Sequence, residues 1–165
     1  MALHGSQQAT LKSLGDGALR ELVTSYVDAW ERCDVEAFAA LLADDATFTM
    51  PPLATWYRTR EGIATWAKLT SMSGAWRWRT VLTHANGQPA LAFYAWDEAE
   101  RAYFPFALNL LTFDGDRISD VTAFIVRATD DPDPDAYLRF PEQPIDTRRV
   151  AVTFARFELP ARLNA

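Results

Sequence analysis

The spacing of apolar residues changes period once along this chain, near Gly74, and that switch constrains the fold more than any other feature. Before it, Leu19, Leu22, Val23, Tyr26, Val27 and Trp30 recur three or four residues apart, which lays one apolar stripe along a helix. Asp34 is placed to cap a second, short helix carrying Val35, Phe38, Leu41 and Leu42, which Ala43-Asp44-Asp45 ends. Thr47 to Met50 alternates as a short strand until Pro51-Pro52 stops it. A third helix, about Arg60 to Thr70, gathers Ile63, Trp66 and Ala67 on one side. After Gly74, Trp76 to Val81 alternates with period two, Asn86-Gly87 signals a hairpin, and Leu91 to Trp96 continues the pattern. Tyr103 to Phe113 follows, and Asp114-Gly115-Asp116 turns the chain into Arg117 to Val126. Helices first and a strand meander second is an α+β order: about three helices packed on one face of a curved antiparallel sheet.

The chain has 165 residues, the length of one domain with a sizeable core. Residues 1–16 are polar and weakly patterned, and a flexible leader is expected there; 17–165 then form a single domain. From Ala128 the texture breaks into Asp130-Asp131-Pro132-Asp133-Pro134-Asp135, an acidic, proline-rich loop over about 127–148. Its proline spacing matches no calcium-loop pattern, so a solvated loop is the better reading. The tail from Arg148 to Ala165 resumes order, as a strand through Val150, Val152 and Phe154 or as a helix; the pattern fits both.

The net charge of -6 supplies no basic patch, which argues against nucleic acid and anionic membrane as partners. No apolar run approaches 18 residues and no signal peptide is visible, so a soluble, cytoplasmic protein is expected. Cys33 stands alone, and with two histidines it makes a dedicated metal site unexpected; no cofactor is expected either. Aromatic residues make up 13% of the chain, more than a core of this size needs, which suggests that some line a cavity. A small apolar ligand or substrate is the expected partner, with a homodimer through the sheet as the expected assembly.

Four further stretches, MPPLATWYR (50–58), THANGQPALAFY (83–94), LTFDGDRISDVTAF (111–124) and FARFELPARL (154–163), join YVDAWERCDVEAFAALLADDATFTMPP at the front. Together they resemble the NTF2-like superfamily, more closely the SnoaL-like group of polyketide cyclases. The resemblance is closest to the SnoaL-like domain at the C-terminal end of extracytoplasmic-function sigma factors. It implies a cone of helices on a curved sheet. It also implies two departures. The promoter- and polymerase-binding helices of a sigma factor are not among these residues, which fits either a free-standing relative or an excised domain with TLKSLGDG (10–17) as the remnant of a linker, and about thirty residues are inserted between the TAF strand and the FARF segment.

Ketosteroid isomerases share the implied fold. Aligned through ADDAT, their carboxylate base falls on Met50, whose thioether cannot take a proton. Their oxyanion-hole tyrosine and acid fall on Tyr26 and Asn109. Tyr26 has one O–H to donate and Asn109 two N–H groups, so this pair is the candidate catalytic set. Strand parity with Asn109 puts Tyr103, Pro105, Ala107 and Leu111 on one face, with Val121, Ala123 and Ile125 opposite them and Asp120 outward. Trp30, Met50, Trp66, Phe93, Leu111, Val121 and Ala123 are expected to bind substrate. Trp56, Tyr57 and Tyr103 are expected to ring the mouth, and Arg77, Arg79 and His84 to face solvent. Two functions are compatible with this set. One is a cofactor-independent cyclase, isomerase or epoxide-opening enzyme on an apolar polyketide- or terpenoid-like substrate. The other is a non-catalytic ligand-sensing or regulatory domain of the sigma-factor kind.

Overall fold

The computed structural model describes residues 17–51, 53–85, 88–126 and 147–165. The flexible leader expected at 1–16 and nearly all of the Asp-Pro loop lie outside these residues, as do Asn86 and Gly87. Helix α1 (Gly17–Glu31) buries Val23, Tyr26, Ala29 and Trp30, the stripe read from the sequence. Helix α2 (Val35–Ala40) is capped by Asp34, whose Oδ1 accepts from the Ala37 N–H at 2.9 Å. Strand β1 (Leu42–Thr49) starts earlier than expected. Ala43-Asp44-Asp45 belongs to the strand, and a register irregularity between Leu42 and Thr47 absorbs it. Strand β2 (Trp56–Arg58) folds back on β1, and α3 (Arg60–Leu69) starts at Thr59, whose Oγ1 accepts from the Gly62 N–H at 3.2 Å.

The meander follows as β3 (Trp78–Ala85), β4 (Gln88–Asp97), β5 (Ala102–Asp114) and β6 (Arg117–Ile125). Ala85 pairs with Gln88 at the end of the antiparallel β3–β4 register. Asp114 pairs with Arg117 across a turn in which Gly115 takes φ 59°, a left-handed value that suits glycine. The sheet order is β2-β1-β6-β5-β4-β3. Every neighbouring pair is antiparallel except β1 and β6, which run parallel. The sheet is therefore mixed, largely antiparallel and open, where the sequence led to an antiparallel one. The connection between β1 and β6 spans α3 and four strands, the kind of long crossover that parallel neighbours require. Hydrophobic periodicity carries no information on the direction of strands so far apart.

The tail resolves the choice left open by its pattern. Thr147–Ala155 is helix α4, and the short strand β7 (Leu163–Asn164) pairs with β5. A fourth helix thus joins the three expected. The sheet separates two cores. On one face, α1 to α3 pack Tyr26, Trp30, Phe38 and Ile63 against Phe48, Phe93, Leu111 and Val121. On the other, Phe154 and Leu159 of the tail pack against Val81, Ala92, Tyr94 and Leu108. Strand β3 is an edge of the sheet, and Glu31 at the end of α1 occupies it: its Oε1 accepts from the Thr80 N–H at 2.9 Å and the Thr80 hydroxyl at 3.0 Å. Among the described residues, no helix is long and apolar enough to cross a membrane.

Candidate functional site

Tyr26 lies on the buried stripe of α1, and Asn109 lies mid-way along β5, opposite Leu91 on β4 and Ala123 on β6. The two meet. Asn109 Nδ2 donates to the Tyr26 hydroxyl oxygen at 3.2 Å. Tyr26 is 0% exposed and Asn109 2%, so the pair sits inside the first core rather than on an open wall. Two polar atoms beside this bond have no hydrogen-bond partner: Asn109 Oδ1 and Trp30 Nε1. Each buried orphan costs on the order of 1–3 kcal/mol, which is why native cores hold few of them.

Burial pushes the Tyr26 hydroxyl well above its usual value, while the hydrogen bond from Asn109 opposes that shift. Tyr94, in the second core, is pushed up by burial in the same way. Its hydroxyl donates to the Pro160 carbonyl at 2.9 Å. Both tyrosines hold their protons more tightly folded than unfolded. Stability is therefore full below the ordinary tyrosine value and falls as pH rises beyond it. The expected slope is about 1.4 kcal/mol per pH unit for each tyrosine. Denaturant titrations between pH 9 and 11.5 check this: the slope should flatten in the Tyr26→Phe, Tyr94→Phe double variant.

Rings surround the pair. Tyr26 packs against Phe38 at 5.7 Å, Trp30 at 6.2 Å and Phe93 at 6.3 Å between ring centroids. Trp30 is the hub, touching Phe93 at 5.2 Å, Phe38 at 5.3 Å, Trp78 at 6.0 Å and Phe48 at 6.4 Å. From Phe48 the contacts continue outward to Trp66 at 4.8 Å, which stacks on Tyr57 at 5.0 Å. This ladder ends at a surface groove of about 540 Å³ lined by Tyr57, Thr59, Glu61, Thr65, Trp66 and Leu69. The volume falls in the range of about 300–1,000 Å³ usual for small-molecule sites.

Most of the residues singled out from the sequence come together here. Trp30, Phe93, Leu111, Val121 and Ala123 are all in the first core, with Met50, Tyr57 and Trp66 packed against it. Met50 directly follows β1 and puts a thioether, not a carboxylate, at that strand's end. Two of the mouth residues are elsewhere. Trp56 is 58% exposed; it alternates with Tyr57 along β2, so the two rings cannot share a face. Tyr103 packs in the second core, against Trp96 at 5.0 Å and beneath Arg79 at 5.3 Å. The cause is a bulge in β5: Phe93 pairs with Ala107 and Tyr94 with Pro105, leaving Phe106 as an extra residue that shifts the parity upstream. Phe106 turns to the first core, onto Trp76 at 5.3 Å and Trp78 at 5.2 Å.

Phe38, Phe48 and Trp78 belong to the cage and were missed as site residues. Phe38 was read only as helix stripe. Phe48 pairs with Val121 across the parallel register, which period alone cannot reveal. Arg77, Arg79 and His84 are exposed, as expected. Asp120 bonds to Thr47 and, at 3.0 Å, to Thr122. Among the described residues, no three His, Cys, Asp or Glu side chains converge as metal ligands would.

The chemistry available is therefore hydrogen bonding inside an aromatic cage. Residues 23–121 match the family model of the SnoaL-like domain. The chain belongs to that family. This SnoaL-like domain is 32% identical, over 109 residues, to the extracytoplasmic-function RNA polymerase sigma factor SigG of Mycobacterium tuberculosis. The match covers 64% of the domain's chain but only 28% of SigG, so the chain spans little more than a quarter of that relative. The fold is shared with the crystal structure of a "putative ketosteroid isomerase" from Kribbella flavida, with TM-score 0.54 and 21% identity over 78% of this chain and 92% of the other. It is also shared with an LEH-like epoxide hydrolase of M. tuberculosis, with TM-score 0.50 and 16% identity over 64% and 80% of the two chains.

Proposed function

We propose that this SnoaL-like domain binds an apolar small molecule whose one polar atom is met by Tyr26 and Asn109. The observation that carries this reading is the pair of unpartnered polar atoms, Asn109 Oδ1 and Trp30 Nε1, buried beside the Tyr26–Asn109 bond. A core without a ligand gains nothing from polar atoms left in that state. The ring ladder to the Tyr57–Trp66 groove gives an apolar body surface to cover. Proton abstraction from carbon has no base at Met50. Any reaction in this cage runs through orientation and hydroxyl donation, as ring closure or acid-assisted epoxide opening would.

The test uses two bicyclic probes, 2-tetralone and 2-tetralol, titrated against intrinsic tryptophan fluorescence. Asn109→Leu and Tyr26→Phe should each weaken binding of the better probe by about 1–3 kcal/mol at unchanged secondary structure. Val152→Ala, on the exposed side of α4, should leave it unaltered. If the two variants only lower the melting temperature and leave affinity per folded molecule intact, the pair is core and the reading fails.

A second reading is favoured by the identity with SigG: the bound molecule acts as a signal, and the domain regulates without turnover. Mass spectrometry of a saturating incubation separates the two. An unchanged probe recovered in full supports the regulatory reading, and a product of altered mass or stereochemistry supports the enzyme.

A further inference from the structure

The groove along α3 carries a chemistry of its own. We infer that it is a second binding site, one that takes an organic cation: an ammonium ion on a flat apolar body. This goes beyond the reading above, which concerns the interior pair, and it stands on different residues.

The groove encloses about 540 Å³, room for a small molecule. Both rings of the Tyr57–Trp66 stack line it, 5.0 Å apart between centroids and 23° from parallel. Phe48 braces Trp66 from the core at 4.8 Å. The corner that brings the two rings together is strained. Thr59, between β2 and α3, takes φ 66° and ψ 147°, a region that a β-branched residue rarely enters. Three hydrogen bonds keep it there. Its N–H donates to the Ala46 carbonyl at 2.9 Å, its carbonyl accepts from the Ile63 N–H at 3.0 Å, and its Oγ1 accepts from the Gly62 N–H. A ring surface fixed in advance leaves little ordering for a guest to complete.

The charge in this groove has one sign. Glu61 is the only carboxylate in its lining, which contains no Lys, Arg or His. The flanking arginines are directed elsewhere. Arg60 donates to the Leu42 carbonyl at 2.7 and 3.0 Å and pairs with Asp44 at 2.8 Å. Arg58 alternates with Tyr57 along β2 and so leaves the strand on its other side. Among the described residues, Glu61 is exposed and makes no ion pair or side-chain hydrogen bond. Its place in the first turn of α3 suits the helix dipole wherever its side chain leads; here it also walls the groove that the stack occupies. A carboxylate beside aromatic rings attracts an ammonium ion twice, by its own charge and by the negative faces of the rings. An anion would meet Glu61 with no counter-charge in the lining, and a neutral guest would leave Glu61 unused.

The test titrates the full-length, 15N-labelled chain with 2-phenylethylammonium, 2-phenylethanol and 3-phenylpropionate, which share one phenylethyl body. The Trp66 indole N–H resonance, identified by its loss in Trp66→Phe, reports the site. The ammonium should shift this resonance and bind about five- to tenfold more tightly than the alcohol and the carboxylate. In Glu61→Gln its lead over the alcohol should shrink by about threefold. Raising sodium chloride from about 20 to about 500 mM should erode the same lead in the unsubstituted chain. Equal binding of the three probes, a tighter carboxylate, a lead unchanged by both Glu61→Gln and salt, or shifts confined to other indoles overturns the inference. So does the absence of any Trp66 shift up to about 20 mM probe, well past the Kd of a weak site. Tyr26 and Asn109 are not part of the groove lining, so each of these failures leaves the reading above standing.

Discussion

Trp30→Ala is expected to remove about 3–5 kcal/mol of folding stability, the usual cost of truncating a large buried aromatic. Trp30 touches five other rings, so the void it leaves is walled by residues of α1, α2, β1, β3 and β4 and cannot collapse from one side. Urea denaturation followed by near-ultraviolet circular dichroism measures the loss. Trp30→Phe should recover more than half of it, since ring volume and not the indole N–H holds the cage. A loss below about 1 kcal/mol for the alanine variant would mean that the cage is loosely packed.

A loss of similar size, about 3–5 kcal/mol, is expected from Phe154→Ala on the opposite face. Phe154 is fully buried, with its ring edge-on to Tyr94 at 5.2 Å, and with Leu159 it fixes the tail to the sheet. If the tail is integral to the domain, this variant should melt in one transition at lower temperature, with faster amide exchange along β4 and β5. If the tail is an accessory layer, the variant should melt near the wild-type temperature after a small early transition. The exchange experiment distinguishes them, because only the first outcome deprotects strands buried on both faces.

The parts of the fold that rest on local periodicity were legible in the sequence. The stripe of α1, the Asp34 cap, the Asp114-Gly115-Asp116 turn and the meander all follow from spacing within a dozen residues. The contact between Tyr26 and Asn109 was reachable only through resemblance, since 83 residues separate them. What escaped is non-local. The parallel pairing of β1 with β6 depends on where the crossover lands. Trp56–Arg58 is too short for its alternation to count as a strand signal. The tail pattern of Val150 and Phe154 serves a helix as well as a strand, and the apolar face of β4 that decides between them lies some sixty residues upstream.

Phe106 gives strand β5 an arithmetic property. With this residue extruded, Tyr103 pairs with Trp96 and stands on the tail side of the sheet. Were the bulge ironed flat, Phe106 would pair with Tyr94, and every residue before it would cross to the opposite face. Tyr103 would then enter the Asn109 side, and Phe104 would leave it. The same letters thus admit two alignments with different interior linings. The stack of Trp76 and Trp78, 5.0 Å apart and gripping Phe106 edge-on, chooses between them. Two tryptophans outside the strand therefore act as its punctuation: they set where reading of the wall begins, and so which side chains a guest would meet.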